Sequence, residues 1–75
     1  MTDTPAQRIG ANVRAEMARR GISQVAIASK LGLPQTSVSK RLRGEVAFNV
    51  DELTAVADHL GVPLAALLAE QPATT

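Results

Sequence analysis

Apolar residues recur along this chain in four-residue steps punctuated by glycines, and that rhythm predicts five helices. The stretch "TPAQ" opens the first, with Thr4 as N-cap, Pro5 at the first helical position and Gln7 closing a capping box. Ile9, Val13 and Met17 form its apolar stripe and Gly21 ends it. Ser23 caps a second helix whose positions Ile27 and Leu31 are again four apart, with Ala26 and Ala28 small enough for close helix contact. Gly32 stops that helix at Leu31. A third is expected from Gln35 to Arg43, anchored by Val38 and Leu42, with Gly44 just past its end. In the loop "GEVAF" that follows, Val46 and Phe48, the only aromatic residue, are expected to plug the core. Asn49 with Glu52 makes a second capping box, Leu53, Val56 and Leu60 give a fourth helix its stripe, and Gly61 closes it. Pro63 starts a short fifth helix through Ala69.

Nowhere do β-branched or aromatic residues alternate with period two over a useful length, so the expected fold is an all-α compact bundle of five helices. Residues 1–69 form one domain, and 70–75 are a disordered tail or the start of a linker. A chain of 75 residues buries only about 60% of its unfolded surface. It has no cysteine, which excludes disulfides and thiolate metal sites. The longest nearly unbroken apolar run, "VPLAALLA", is far shorter than the roughly 20 residues a membrane span needs, and the N-terminus has no signal-peptide pattern. The expected location is the bacterial cytoplasm. His59 is the sole histidine and has no second ligand for a metal, while the serines lack a base and the carboxylates cluster at the cap of the fourth helix. No enzyme activity, cofactor or small-molecule ligand is expected.

Charge changes the picture. Residues 1–44 hold all eight cations against two acids, Asp3 and Glu16, a balance of +6; residues 45–75 hold five acids and no cation, −5. Such a split offers one basic end to a polyanion, unless it is only two solvated faces. Helix spacing favours the polyanion. Only Gly32, Leu33 and Pro34 join the second and third helices, too few for an antiparallel pair, so they must cross steeply as a helix-turn-helix. The third helix is polar apart from Val38 and Leu42, and it accepts poor helix formers (Thr36, Ser37, Ser39) while excluding every acid. A face of that kind suits the major groove of duplex DNA. Arg19 and Arg20, by contrast, read as partners of Glu16 at i+3 and i+4.

The segment "SQVAIASKLGLPQTSVSKRLRGE" resembles the helix-turn-helix of the Cro and lambda-repressor family, the Xre-type DNA-binding domains. The resemblance extends over residues 5–69 and is densest from Gln24 to Gly44. It implies double-stranded DNA as partner and a lambda-repressor-like fold. It also implies base contacts from Gln35, Thr36, Ser39 and Lys40, and phosphate contacts from Gln24, Ser37, Arg43 and Arg14. The chemistry of those residues agrees: Gln35 can pair with adenine, Lys40 can donate to guanine, and the Thr36 methyl can pack on thymine. Two departures stand out. Arg41 takes a position where the family has an apolar residue, which frees it either to contact phosphate or to pair with Asp51 or Glu52. Pro34 replaces the usual hydroxyl cap of the third helix.

The fifth helix is apolar nearly all round, so Leu64, Leu67 and Leu68 either finish the core or meet a second subunit. The expected function is that of a sequence-specific transcriptional regulator, a repressor of the phage Cro or immunity-repressor kind, working as a homodimer. Two alternatives stand beside it: an antitoxin that binds operator DNA and a protein toxin, and a helical protein-interaction module without DNA binding.

Overall fold

Local chemistry starts each long helix where the sequence places it. The Thr4 hydroxyl accepts the Gln7 amide at 3.1 Å while the Gln7 side chain accepts the Thr4 amide at 2.9 Å, so the capping box of α1 (Pro5–Arg20) is complete. Ser23 caps α2 (Gln24–Leu31) through the Ala26 amide. The Asn49–Glu52 box opens α4 (Val50–Leu60). Pro34 and Pro63 precede α3 (Gln35–Leu42) and α5 (Leu64–Leu68) without any side-chain cap. The computed structural model describes residues 4–70, so most of the expected tail, residues 71–75, lies outside the described residues.

The five helices enclose one core. Val13, Ile27, Val38, Val56 and Leu67 are fully buried, with Met17, Leu42, Phe48, Leu53 and Leu60 around them. Helix α1 packs on α3, α4 and α5, while α2 packs on α3 and α4. Ile9, Leu31 and Leu64 sit half-buried at the rim of this core. The all-α, five-helix architecture is therefore the expected one, with small corrections. Helix α3 ends at Leu42 with Arg43 as its cap, and α5 ends at Leu68. Val46 does not plug the core: it is 39% exposed while Phe48 is buried within the core cluster, where the larger apolar side chain gains more from leaving water. Among the described residues no helix is long and apolar enough to cross a membrane.

One buried polar residue escaped the hydrophobic pattern. Asn12 on α1 is only 1% exposed, and its amide donates to the carbonyls of Leu67 at 2.9 Å and Ala69 at 2.7 Å. Both acceptors lie at the end of α5, where the last carbonyls of a helix lack partners along the chain. Asn12 thus fastens a five-residue helix too short to hold itself. Asn12→Ala is expected to destabilise the domain by about 2 kcal/mol, since it strands buried acceptors. Thermal denaturation followed by circular dichroism would show this as a fall of about 10 °C.

Candidate nucleic-acid interface

The turn between α2 and α3 sets the site. Gly32 adopts φ +67°, a left-handed conformation that residues with a Cβ avoid, and the Leu33 amide returns to the Ala28 carbonyl at 3.0 Å. The chain then re-enters helix within two residues. The amides of Ser37 and Val38 both donate to the Pro34 carbonyl, at 3.0 and 3.2 Å, which begins α3 in the absence of a side-chain cap.

Helix α3 is divided cleanly between core and solvent. Val38 and Leu42, four residues apart, are buried and hold the helix down. Gln35, Thr36 and Lys40 are exposed, and Ser37 and Ser39 are half-buried between the two faces. The Gln24 side chain, at the start of α2, donates to the Gln35 carbonyl at 3.1 Å. The beginnings of the two helices are therefore joined directly.

The cations around α3 differ in what they hold. Arg43 donates to Glu45 at 2.6 Å and to the Ser39 hydroxyl at 2.6 Å, an exposed arrangement at the end of the helix. The hydrogen bond from Arg43 holds the Glu45 carboxyl below the ordinary carboxylate range, against desolvation and with help from the charges of Arg43 and Lys40. Lys40 is exposed and forms no ion pair among the described residues. Arg41 takes one of its two expected destinations: Nε and Nη2 donate to the two oxygens of Glu52 at 3.0 and 3.3 Å, and Nη1 donates to the Ser37 carbonyl at 3.1 Å. All three guanidinium nitrogens are used within the fold, so Arg41 is directed toward α4 rather than outward to phosphate. Arg14 is exposed on α1, outside the turn. Arg19 and Arg20 pair with Glu16, as their spacing predicts.

The interface expected of α5 needs correcting. Leu67 is 0% exposed, locked among the core residues of the same chain, and cannot meet a second subunit. Leu64 packs half-buried against that core, and only Leu68 stands substantially in solvent. The fifth helix is short enough that most of its apolar surface is consumed by its own domain.

Two residues that matter to the site carried no functional reading in the sequence. Glu45 places an acid beside Arg43 at the edge of the polar face; its spacing of two residues from an arginine is the only signal available. Gly10 lies inside α1, where the backbone of α3 crosses closely. A Cβ built there would lie 2.5 Å from the Leu42 carbonyl oxygen and 2.8 Å from that of Arg41. A lone glycine inside a helical pattern is the hint that could have found it.

Known proteins place this arrangement. The helix-turn-helix family profile matches residues 13–67. No curated protein is a significant match. Among solved structures, the clp gene regulator ClgR from C. glutamicum is similar in fold, with a TM-score of 0.83, 22% identity, and coverage of 89% of this chain and 87% of that one. The DNA-binding domain of BldD is 31% identical with a TM-score of 0.74, the match covering 92% of this chain and all 100% of that domain. With the short turn at Gly32, the acid-free α3 and these likenesses in hand, the chain belongs to the Xre-type helix-turn-helix family of DNA-binding transcriptional regulators.

Proposed function

We propose that this protein is a sequence-specific binder of duplex DNA that represses transcription, in the manner of phage Cro or immunity repressors, with α3 in the major groove. The observation that carries this reading is the division of α3: Val38 and Leu42 are buried, while Gln35, Thr36 and Lys40 stand together in solvent with no acid in the helix. In this reading Gln35, Thr36, Ser39 and Lys40 contact base edges, and Gln24, Ser37, Arg43 and Arg14 contact phosphates. Gln24 serves both helices, since its bond to the Gln35 carbonyl sets the first base-reading residue relative to the backbone contact. A single recognition helix discriminates by about 1–3 kcal/mol per base pair, so two copies on half-sites about 34 Å apart are needed for a unique operator. Leu68 and the rim residue Leu64 are the α5 side chains open to such pairing.

The test is selection of bound duplexes from a random pool, followed by titration of the winning sequence at several salt concentrations. Affinity should fall steeply with salt as counterions are released. Gln35→Ala should lower discrimination at one base pair by about fivefold or more. Arg43→Ala should weaken all sequences alike and reduce the salt slope by about one. Failure to enrich any sequence, with both variants indistinguishable from the parent on DNA, would overturn the proposal.

A further inference from the structure

We propose that Glu52, on α4, is a specificity-determining positioning residue: its bridge to Arg41 fixes the roll of the recognition helix and so aims the base-reading side chains. This rests on the reading of α3 as the DNA-reading element.

The argument begins with what holds α3. Val38 and Leu42 lie one turn apart along nearly a single line on the helix, so their burial fixes the depth of α3 but leaves rotation about that line weakly restrained. The start of the helix has no side-chain cap to stop such a roll. Gln24 tethers that start through the Gln35 carbonyl, and the close approach at Gly10 pins the far end against α1. Both contacts act on the backbone near the helix ends. Neither grips a side chain that projects from its flank.

Arg41 supplies that grip. It sits about 100° round the helix from Leu42, well off the Val38–Leu42 line. Its guanidinium meets the Glu52 carboxylate side-on through two hydrogen bonds, a planar fork that tolerates little rotation. The third nitrogen donates to the Ser37 carbonyl, so the fork is also tied to the body of α3. Glu52 is equally fixed on its own side, because Oε1 accepts the Asn49 amide at 3.0 Å within the capping box of α4. Side chains at both ends of the bridge are only 17% and 15% exposed, which limits competition from water. Burial pushes the Glu52 carboxyl up, but the hydrogen bonds from Arg41 and the Asn49 amide, with the charge of Arg41, outweigh it and hold the group ionised below the ordinary carboxylate range.

Small rotations matter at this site. A roll of about 10° moves a head group about 6 Å from the helix axis by roughly 1 Å, enough to spoil a hydrogen bond to a base edge. Contacts to phosphate, made by long and mobile side chains, absorb the same displacement. Loss of the bridge is therefore expected to separate base discrimination from general DNA affinity.

Glu52→Gln isolates the effect, since glutamine still closes the capping box while the charged fork is lost. Affinity would be measured for the duplex selected by the parent protein, for versions with one changed base pair, and for an unrelated duplex. The expected result is a loss of discrimination of at least about fivefold, with affinity for the unrelated duplex unchanged or raised. Discrimination kept within about twofold would overturn the inference, as would a proportional fall in every affinity from a variant that circular dichroism shows to be folded. Should Glu52→Gln fail to fold, Arg41→Lys keeps the charge without the fork and must show the same separation; full discrimination in Arg41→Lys sinks the idea. A parent protein without base preference would overturn the DNA-reading assignment itself, and this inference with it.

Discussion

Gly10→Ala is expected to lower the melting temperature by about 12–24 °C, the reverse of what helix propensity alone dictates. In a helix interior, alanine is normally favoured over glycine by about 1 kcal/mol. Here the new methyl would enter a space already occupied by two backbone carbonyl oxygens, those of Leu42 and Arg41, at 2.5 and 2.8 Å. A flexible side chain could step aside, but these oxygens belong to the last turn of α3, and moving them means moving the helix. Forced overpacking of this kind costs on the order of 3 kcal/mol, and a small domain converts each kcal/mol into about 4–8 °C. The displacement should also be felt at the polar face, because the carbonyls displaced are those of α3. Thermal denaturation would check the first effect and titration with the selected duplex the second. An alanine variant as stable as the parent would show that α1 and α3 do not approach as closely as described.

Glu45→Lys is expected to raise affinity for DNA of any sequence, on the order of tenfold or more at 50 mM salt. In the parent, Glu45 lies against Arg43 and its charge is felt by Lys40, so an acid stands among the cations that flank α3. A phosphate approaching Arg43 must displace that carboxylate and is repelled by it. The exchange removes the competitor and adds a cation. Each added phosphate contact makes the salt dependence steeper by about 0.9 in log–log slope, so about 3.5-fold of the gain per contact disappears between 50 and 200 mM salt. Discrimination between sequences should not improve, since phosphates carry no base information. Glu45→Gln should show a smaller gain in the same direction. Unchanged affinity and slope in both variants would place Glu45 and Arg43 away from the bound duplex.

Much of this protein can be read from its residues in order. Helix starts are local chemistry: Thr4 with Gln7 and Asn49 with Glu52 need only the next turn of chain to satisfy their amides, and both boxes form as spelled. The left-handed glycines Gly21, Gly32 and Gly61 likewise end their helices within the segment that contains them. Stripes such as Val38 and Leu42 name the buried face of α3 and, by subtraction, its polar face. Side chains that act across the fold were less legible. Nothing local distinguishes Val46 from Phe48 as the plug, because which one turns inward depends on where the packed helices leave room.

Sequence alone thus determined the helices, their order, the short turn at Gly32 and the acid-free face, since each follows from interactions spanning a few residues. Tertiary structure decided the rest. Leu67 became core rather than interface because α1 and α4 close over α5, and Asn12 found its acceptors 55 and 57 residues away. Arg41 was sent to Glu52 instead of Asp51 or a phosphate because only that carboxylate comes within reach once α1 and α2, which pack on both α3 and α4, hold the two in place. Partner choice among side chains distant in the chain is set by where packing brings them, and periodicity carries no record of that distance.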